Sequence, residues 1–322
     1  MRNNLFIAHT PLQNFVIKLI IEQYFYGVDN VRNYLFTSVE LDSGLNYFDE
    51  IYIINKNSTF KKIINLFQCK YKITRIIATQ NSNSIFIPHT SALIDNFLFY
   101  GVSHKDYNVD LNFYYEGILY LYNYRETYKF QTHFKRLIFG FLLGICYKYN
   151  PNITPFNSNL VNKVYTLFPE HTVAPKEKLQ KIKVNIDRYV ALDKVLILGG
   201  RPSLLTDIEI QKIYNTILNF YNSSFSNFKS LFKGHHADSS GNFEKVVDLD
   251  FENITQHSPV EEIIEIYQPK IVISYPSSGL INLKSMYGNK IDLYSYYINE
   301  KKDNLKFLWP IFENVGINLK FI

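Results

Sequence analysis

Lysine and histidine side chains that follow a short apolar run are the residues of this sequence best suited to chemistry on an anion. Lys233 and His235 stand two positions apart, directly after Leu231-Phe232. A lysine can neutralise a phosphate, and an imidazole can give a proton to a leaving group near neutral pH. His236 is adjacent, and either imidazole can be that acid. These residues predict a site for an anionic leaving group.

A serine pair follows another apolar run. Ser277 and Ser278 come shortly after residues 271–273, where they would open a helix. Hydroxyls and unpaired backbone N–H groups at a helix start bind phosphate or carboxylate groups. The alternative is that Ser277 is an ordinary N-cap. We group Gly199-Gly200, which also follows an apolar run, with this anion site.

Two glutamates have positions that suit binding or proton transfer. Glu116 precedes Gly117 at the end of the run 111–115, where a carboxylate can act as general base on a hydroxyl. The alternative is a surface glutamate before a turn. Tyr114 and Tyr115 would stack on the sugar that carries that hydroxyl. Glu261 opens a predicted helix, where it either complements the helix dipole or accepts hydrogen bonds from a ribose diol.

Metal binding is a weaker alternative at two places. Asp248 and Asp250 form an Asp-x-Asp pattern, which occurs in some metal-dependent nucleotide-sugar enzymes but also arises often by chance. His235, His236 and Asp238 contain ligand types for a metal, but adjacent histidines in an extended loop point apart. We therefore expect no metal.

The elements that position these residues alternate between short apolar runs and longer helical patterns, which predicts βα units around parallel sheets. Thr10 and Pro11 would begin a helix that ends near residue 26, and Thr206 with Glu209 would cap a second helix. Strands are predicted at 5–8, 34–36, 51–54, 111–115, 164–168, 195–198, 231–232, 246–247 and 271–273. Further helices are predicted from residue 259 and over 305–312.

A proline- and lysine-rich stretch interrupts this alternation after Phe168. It predicts an N-terminal Rossmann-like domain at 1–170, a linker at 171–190 and a C-terminal Rossmann-like domain at 191–322. Open parallel sheets bind ligands at the carboxyl ends of their strands, so we expect the site residues to face a cleft between the domains. The fold class is α/β.

Composition narrows the functional classes. A net charge of +5 over 322 residues is too small to predict nucleic-acid binding, but it favours anionic ligands or anionic lipid. Two cysteines predict neither a disulfide framework nor a zinc site, and they suit the reducing cytoplasm. The N-terminus does not read as a secretory signal. The apolar run 137–147, beside Lys135 and Arg136, is too short to span a membrane; it predicts a buried helix or, alternatively, a contact with anionic lipid.

The order of these motifs resembles that in bacterial sialyltransferases, and most of all the lipooligosaccharide sialyltransferases of glycosyltransferase family 52. Glu116-Gly117, Lys233-x-His235, Pro259-x-Glu261 and Ser277-Ser278 occur in the same order in that group. The opening residues 4–13, with Thr10 and Gln13 in a Thr-Pro-x-Gln turn, are also similar, as are residues 164–169. The resemblance extends over nearly the whole chain, although each motif has only two to four residues.

The resemblance implies a GT-B fold, CMP-sialic acid as donor, inversion at the anomeric carbon and no metal or cofactor. Glu116 would be the base on the acceptor hydroxyl and His235 the acid that faces the departing phosphate. Lys233, Ser277 and Ser278 would hold the phosphate, and Glu261 the ribose. Two departures are Tyr115, where the family usually has a second acid, and His236, where it has proline.

Three functional hypotheses therefore remain open. The first is transfer of sialic acid to a terminal sugar of a surface glycan, on the cytoplasmic face of the membrane. A capsule polysialyltransferase or a metal-dependent glycosyltransferase at Asp248 and Asp250 is the second. The third is a non-enzymatic protein that binds a sugar nucleotide. The family also implies a homodimer.

Overall fold

A computed structural model gives the fold of this protein. It describes residues 2–39, 45–54, 59–79, 82–102, 108–115, 117–122, 125–126, 129–184, 186–187, 189–199, 206–235, 251–254, 258–298 and 309–322. The chain divides into two compact units, Met1–Lys183 and Val184–Ile322.

The described residues of the first unit form a seven-stranded parallel sheet with the order β3-β2-β1-β4-β5-β6-β7. The strands are β1 (Arg2–Ala8), β2 (Val31–Thr37), β3 (Glu50–Ile53), β4 (Ser82–Ile87), β5 (Val109–Tyr114), β6 (Val161–Thr166) and β7 (Leu179–Lys181). The helices are α1 (Pro11–Tyr24), α2 (Thr59–Ile77), α3 (Leu93–Phe97) and α4 (Phe130–Leu142).

The described residues of the second unit form a six-stranded parallel sheet with the order β10-β9-β8-β11-β12-β13. Its strands are β8 (Leu192–Leu198), β9 (Lys229–Lys233), β10 (Glu252–Asn253), β11 (Pro269–Ser274), β12 (Asp292–Tyr297) and β13 (Asn318–Phe321). Its helices are α5 (Asp207–Ser224), α6 (Val260–Tyr267), α7 (Ser278–Tyr287) and α8 (Trp309–Val315).

Buried strands with continuous apolar sequence explain the parallel sheets, because helices cover both faces of such a sheet. In β1 the residues from Leu5 to Ala8 are all fully buried. Asparagine pairs at the other end of β1 hold the register, since a buried amide needs a partner. Asn4 donates to Asn33 of β2 at 2.9 Å, and Asn3 donates to Asn83 of β4 at 3.0 Å.

Most of the predicted elements are confirmed. The predicted strands are present with the exception of 246–247, which lies outside the described residues, and the three helix starts at Pro11, Thr206 and Pro259 agree with the structure. The final helix begins later than predicted, at Trp309, with Pro310 in its first turn. Strands β4, β12 and β13 were not predicted.

Two interpretations of the sequence require correction. Residues of the predicted linker belong to the first sheet, because β7 pairs with β6 from Val164↔Leu179 to Thr166↔Lys181. The apolar run 137–147 is not a buried helix. Helix α4 ends at Leu142, and its apolar side chains Leu137 and Phe141 are 51% and 85% exposed, because a narrow stripe on the other side of the helix makes the contacts with the unit. No helix among the described residues is long and apolar enough to cross a bilayer.

Helix α5 begins with the capping box that the sequence predicts. Thr206 Oγ1 accepts from the Glu209 N–H at 3.3 Å, and Glu209 Oε2 accepts from the Thr206 N–H at 2.7 Å. We expect Thr206→Ala to reduce the free energy of unfolding of the second unit by about 0.5–2 kcal/mol, because two backbone donors lose ordered partners. Urea denaturation with hydrogen exchange at the first turn of α5 measures this loss.

The control is Thr216→Ala in the same helix. Its hydroxyl donates to the Lys212 carbonyl at 3.0 Å, a bond that adds little to helix stability, so we expect a change within about 0.5 kcal/mol. Equal losses in the two variants would contradict the role of the cap.

Candidate functional site

The ends of β8 and β9 meet at a glycine that leaves no room for a side chain. Gly199 follows β8, and its N–H donates to the Lys233 carbonyl at 2.8 Å. A Cβ atom on Gly199 would lie 3.2 Å from the His235 nitrogen and 3.3 Å from the Gly234 Cα. The close approach therefore requires glycine. It brings Gly199, Lys233 and His235 together at the carboxyl edge of the second sheet, as the sequence predicts.

Lys233 is a buried cation in this group. It is the last residue of β9, and burial lowers the pKa of its ammonium group. The carboxylate of Glu261 acts in the opposite direction and raises that pKa. The strand end thus holds a partly desolvated positive charge, and an anion at this position would be strongly attracted because the local dielectric is low.

Glu261 lies in the interior, where α6 meets α7. It is 2% exposed, and its Oε1 accepts from Asn282 Nδ2 at 2.6 Å. Burial raises the pKa of the Glu261 carboxyl, while the Asn282 hydrogen bond, a bond from its own backbone and the charge of Lys233 lower it. Burial is the largest of these effects. The residue that the resemblance assigns to ribose therefore already has a protein partner.

The serine pair begins α7, and one serine caps it. Ser277 is the N-cap, and its Oγ accepts from the Gly279 N–H at 3.2 Å. Ser278 is the first helical residue, and both serines are half-buried. A Cβ atom on Gly279 would lie 2.9 Å from Val260 Cγ1, so glycine lets the starts of α6 and α7 pack closely. The capping interpretation is thus observed, and the helix start remains available to an anion.

In the first unit a histidine–aspartate pair lies at the corresponding sheet edge. His9 follows β1, and its Nε2 is 2.6 Å from Oδ2 of Asp95 on α3. Asp95 is fully buried, and its Oδ1 has no hydrogen-bond partner among the described residues. A buried carboxylate in this position orients the imidazole and favours its protonated form, as in acid–base dyads.

A second histidine stacks on the first. His89 follows β4, the neighbour of β1, and the two rings lie 5.8 Å apart with an interplanar angle of 20°. The Ser91 N–H donates to His89 Nδ1 at 3.2 Å, and burial lowers the pKa of His89 to about 4. His89 is therefore neutral at physiological pH, unlike a typical surface histidine.

Strands β1 and β4 mark the point where the order of the first sheet reverses, which is where open α/β sheets bind ligands. Sequence reasoning did not assign His9, His89 and Asp95 to this site. A signal was present, since Leu5–Thr10 reads LFIAHT and Ile85–Thr90 reads IFIPHT. The offset of 80 residues is that of the β1–β4 register, in which Phe6 pairs with Phe86.

The remaining predicted residues have other positions. Thr10 caps α1 by accepting from the Gln13 N–H at 3.3 Å, and Gln13 Oε1 accepts from the His9 N–H, so both residues position His9. Tyr114 and Tyr115 are fully buried and do not stack on a ligand, a correction to the sequence interpretation. The predicted residues outside the described ranges are Glu116, Gly200, His236, Asp238, Asp248 and Asp250. Within the described ranges there is no group of three or more potential metal ligands.

Comparison with known proteins identifies the fold. No protein-family model matches the sequence, and no curated protein matches it by sequence. The chain is similar in structure to an α/β-galactoside α-2,3-sialyltransferase from Photobacterium phosphoreum, with a TM-score of 0.60 and 15% identity over 99% of this chain and 98% of that chain. A sialyltransferase GT-B domain from Photobacterium damselae gives a TM-score of 0.59 and 15% identity over the full length of both chains.

A UDP-GlcNAc 2-epimerase from Methanocaldococcus jannaschii, in complex with UDP-GlcNAc and UDP, is also similar. Its TM-score is 0.53, with 9% identity over 100% of this chain and 89% of that chain. At such identities the likeness concerns the fold. The chain has the GT-B fold.

The buried carboxyl of Glu261 generates a prediction about pH. Because its pKa is raised, the folded protein holds this proton more tightly than the unfolded chain, so stability falls as the pH rises above the ordinary glutamate range. We expect Glu261→Gln to flatten this dependence and to melt higher at neutral pH, since glutamine keeps an acceptor for Asn282. Each kcal/mol gained would raise Tm by roughly 2–4 °C.

Thermal melting of both proteins between weakly acidic and neutral pH measures this effect. The control is Glu265→Gln, which removes an exposed carboxylate from the same helix. A stability difference between Glu261→Gln and the parent protein that stays constant with pH would contradict the assignment.

Proposed function

We propose that the protein is an inverting glycosyltransferase that moves sialic acid from CMP-sialic acid to a sugar hydroxyl of a surface glycan, without a metal. The clustering of Gly199, Lys233 and His235 at one edge of the second sheet carries the proposal. The two Photobacterium sialyltransferases of the same fold support it. CMP is a good leaving group, so the main tasks are to neutralise its phosphate and to remove one proton from the acceptor.

The donor half of the reaction falls to the second unit. Lys233 and the N–H groups at the start of α7 would bind the phosphate, with Ser277, Ser278, Gly199 and Gly200 around it. As the bond from the anomeric carbon to the phosphate oxygen breaks, His235 gives its proton to that oxygen. His236 is the alternative acid. Glu261 would accept from the ribose diol, in competition with Asn282.

The acceptor half falls to the first unit. The acceptor oxygen forms the new bond to the anomeric carbon, and its proton passes to a base. Glu116 is the base that the resemblance implies. The His9–Asp95 pair is a second candidate, because the buried carboxylate of Asp95 stabilises the imidazolium that forms when His9 takes a proton.

The proposal places the protein on the cytoplasmic face of the membrane, with CMP-sialic acid and a glycan as partners and a homodimer as the assembly. Lipooligosaccharide and capsule are the acceptor classes. A capsule polysialyltransferase would add many residues to a sialylated primer, whereas a single transfer stops at one. A metal-dependent reaction at Asp248 and Asp250 would be abolished by a chelator, and a binding protein without activity would respond to CMP but transfer nothing.

Nucleotide binding is the first test. We expect CMP to raise Tm, and UDP and GDP to leave it unchanged. Lys233→Met should weaken CMP binding by about tenfold to a hundredfold, because a hydrogen bond to a charged group contributes roughly 1.5–3 kcal/mol. Thermal shift with calorimetric titration measures both effects.

Lys229→Met is the matched control for this titration. Lys229 lies on the same strand, but it is exposed and forms an ion pair with Glu252, so CMP affinity should not change. Stabilisation by UDP rather than CMP would contradict the proposed donor and favour a function like that of the UDP-GlcNAc 2-epimerase.

Transfer to a labelled galactoside tests the proton-transfer residues. We expect His235→Ala and Glu116→Gln each to lower kcat by about 10²–10⁴-fold, the usual contribution of a general acid or base, with CMP affinity retained. Undiminished transfer by His235→Ala would shift the acid role to His236. If Glu116→Gln keeps its activity and His9→Gln loses it, the base is the His9–Asp95 pair. Loss of transfer in the presence of a chelator would instead support the metal-dependent alternative.

A further inference from the structure

Helix α4 carries an apolar stripe on its exposed side. The stripe consists of Phe130, Phe134, Leu137, Ile138, Phe141 and Leu142, all of which are exposed. Their spacing of i, i+4, i+7, i+8, i+11 and i+12 places them on one face of the helix. Such a face normally packs on the core of a protein. Here the core side is formed by His133, Arg136 and Gly140, and the apolar stripe faces outward.

The fold prevents α4 from turning its apolar stripe inward. A Cβ atom on Gly140 would lie 2.8 Å from the Ile145 carbonyl oxygen, so the inward face is held at close range by the backbone that follows the helix. Arg136 donates to Glu126 at 3.2 Å and to the Tyr147 hydroxyl at 3.1 Å, which fixes the same side. The outward stripe is therefore a property of the folded unit.

A second exposed apolar face lies beside the end of α4. On α2, Ile64, Phe67 and Tyr71 are exposed at the helical spacing i, i+3 and i+7. Lys70, next to Tyr71, donates from Nζ to the carbonyls of Leu143 and Gly144 at 2.6 and 3.0 Å, directly after the last residue of α4. The two helices thus contribute to one surface.

The charge around this surface has one sign. Residues 51–94, which contain α2, and residues 127–169, which contain α4, hold eleven Lys and Arg and no Asp or Glu. The rest of the chain has 23 basic and 29 acidic residues. Lys135 lies at the edge of the stripe, three residues before Ile138 and seven before Leu142, and it is exposed.

We propose that the exposed faces of α4 and α2 bind the surface of an anionic lipid bilayer. Phe and Leu side chains on one face of a helix, with lysines at its margin and no acidic residue nearby, are what interfacial helices use to lie in the headgroup region. The one-signed charge favours anionic lipid over a second copy of this chain, since two such surfaces would repel each other. The interaction does not depend on the proposed enzymatic function.

The orientation of α4 connects this surface with the histidine cluster of the first unit. Arg136, on the inward side, is close enough to His89 for its charge to contribute to the lowered pKa of that imidazole. A bilayer on the outward side would therefore lie one helix away from His89. This position suits an acceptor that is anchored in lipid.

Vesicle flotation with the full-length protein tests the proposal. We expect binding to phosphatidylcholine vesicles that contain phosphatidylglycerol, weaker binding to phosphatidylcholine alone, and a loss with added salt. Leu137→Ser/Phe141→Ser should lower the apparent affinity at least about tenfold, since it removes two exposed anchors. Lys135→Glu should lower it by about tenfold, because it replaces a positive charge by a negative one.

The matched control is Ile208→Ser, which removes an exposed apolar side chain from α5 of the second unit and should leave flotation unchanged. Unchanged Tm in all variants establishes that they fold. Absence of flotation by the parent protein, or equal flotation of the parent and Leu137→Ser/Phe141→Ser, would overturn the proposal. So would a solution dimer that Leu137→Ser/Phe141→Ser converts to a monomer, because the stripe would then be covered by a second copy.

Transfer to a soluble galactoside separates this inference from the proposed function. Leu137→Ser/Phe141→Ser should retain it at the parental rate. If the parent protein binds vesicles but has no transferase activity, the lipid surface stands and the sialyltransferase proposal fails.

Discussion

Parallel pairing of every strand in both sheets is the constraint on which the arrangement of the candidate site depends. In a parallel sheet all carboxyl ends lie at one edge, so residues that are distant in sequence meet there without any dedicated contact between them. Gly199, Lys233 and Ser277 come from three different strand ends of the second unit. His9 and His89 come from two strand ends of the first. Helices on both faces of each sheet make this geometry rigid, because the strands are buried and cannot shift register without exposing apolar side chains.

The two units hold charge at these edges in different ways. In the second unit Lys233 and Glu261 are both buried, and burial moves the pKa of each toward its neutral form while their mutual attraction opposes that shift. Such a pair is sensitive to any ligand that brings its own charge. In the first unit the carboxylate of Asp95 contacts His9 directly, and His9 is partly exposed. One unit thus suits the binding of an anion and the other suits the acceptance of a proton.

Local patterns were sufficient to predict much of the fold and the donor part of the site. The runs before Gly199 and Lys233 are buried strands, and the Thr206–Glu209 spacing is a capping box, because strand burial and helix caps depend on residues close in sequence. The His9–Asp95 contact joins residues 86 positions apart and depends on the order of the strands, which no local pattern gives. The near-identical hexapeptides at Leu5–Thr10 and Ile85–Thr90 were the available signal, and they acquire meaning only once β1 and β4 are known to be neighbours.

Helix α4 shows why the apolar run 137–147 was misinterpreted. Apolar content predicts burial when the surrounding chain can cover it, but Gly140 and Arg136 fix the opposite face of α4 against the unit, so the sequence's strongest apolar pattern remains in solvent. A protein that keeps such a surface without an acidic residue near it requires a partner that stabilises both apolar and positively charged side chains. An anionic bilayer does both. If the acceptor is a lipid-linked glycan, the same helix would keep the acceptor-side histidines close to the membrane, and binding to the lipid would raise the local concentration of acceptor without any further contact with the sugar.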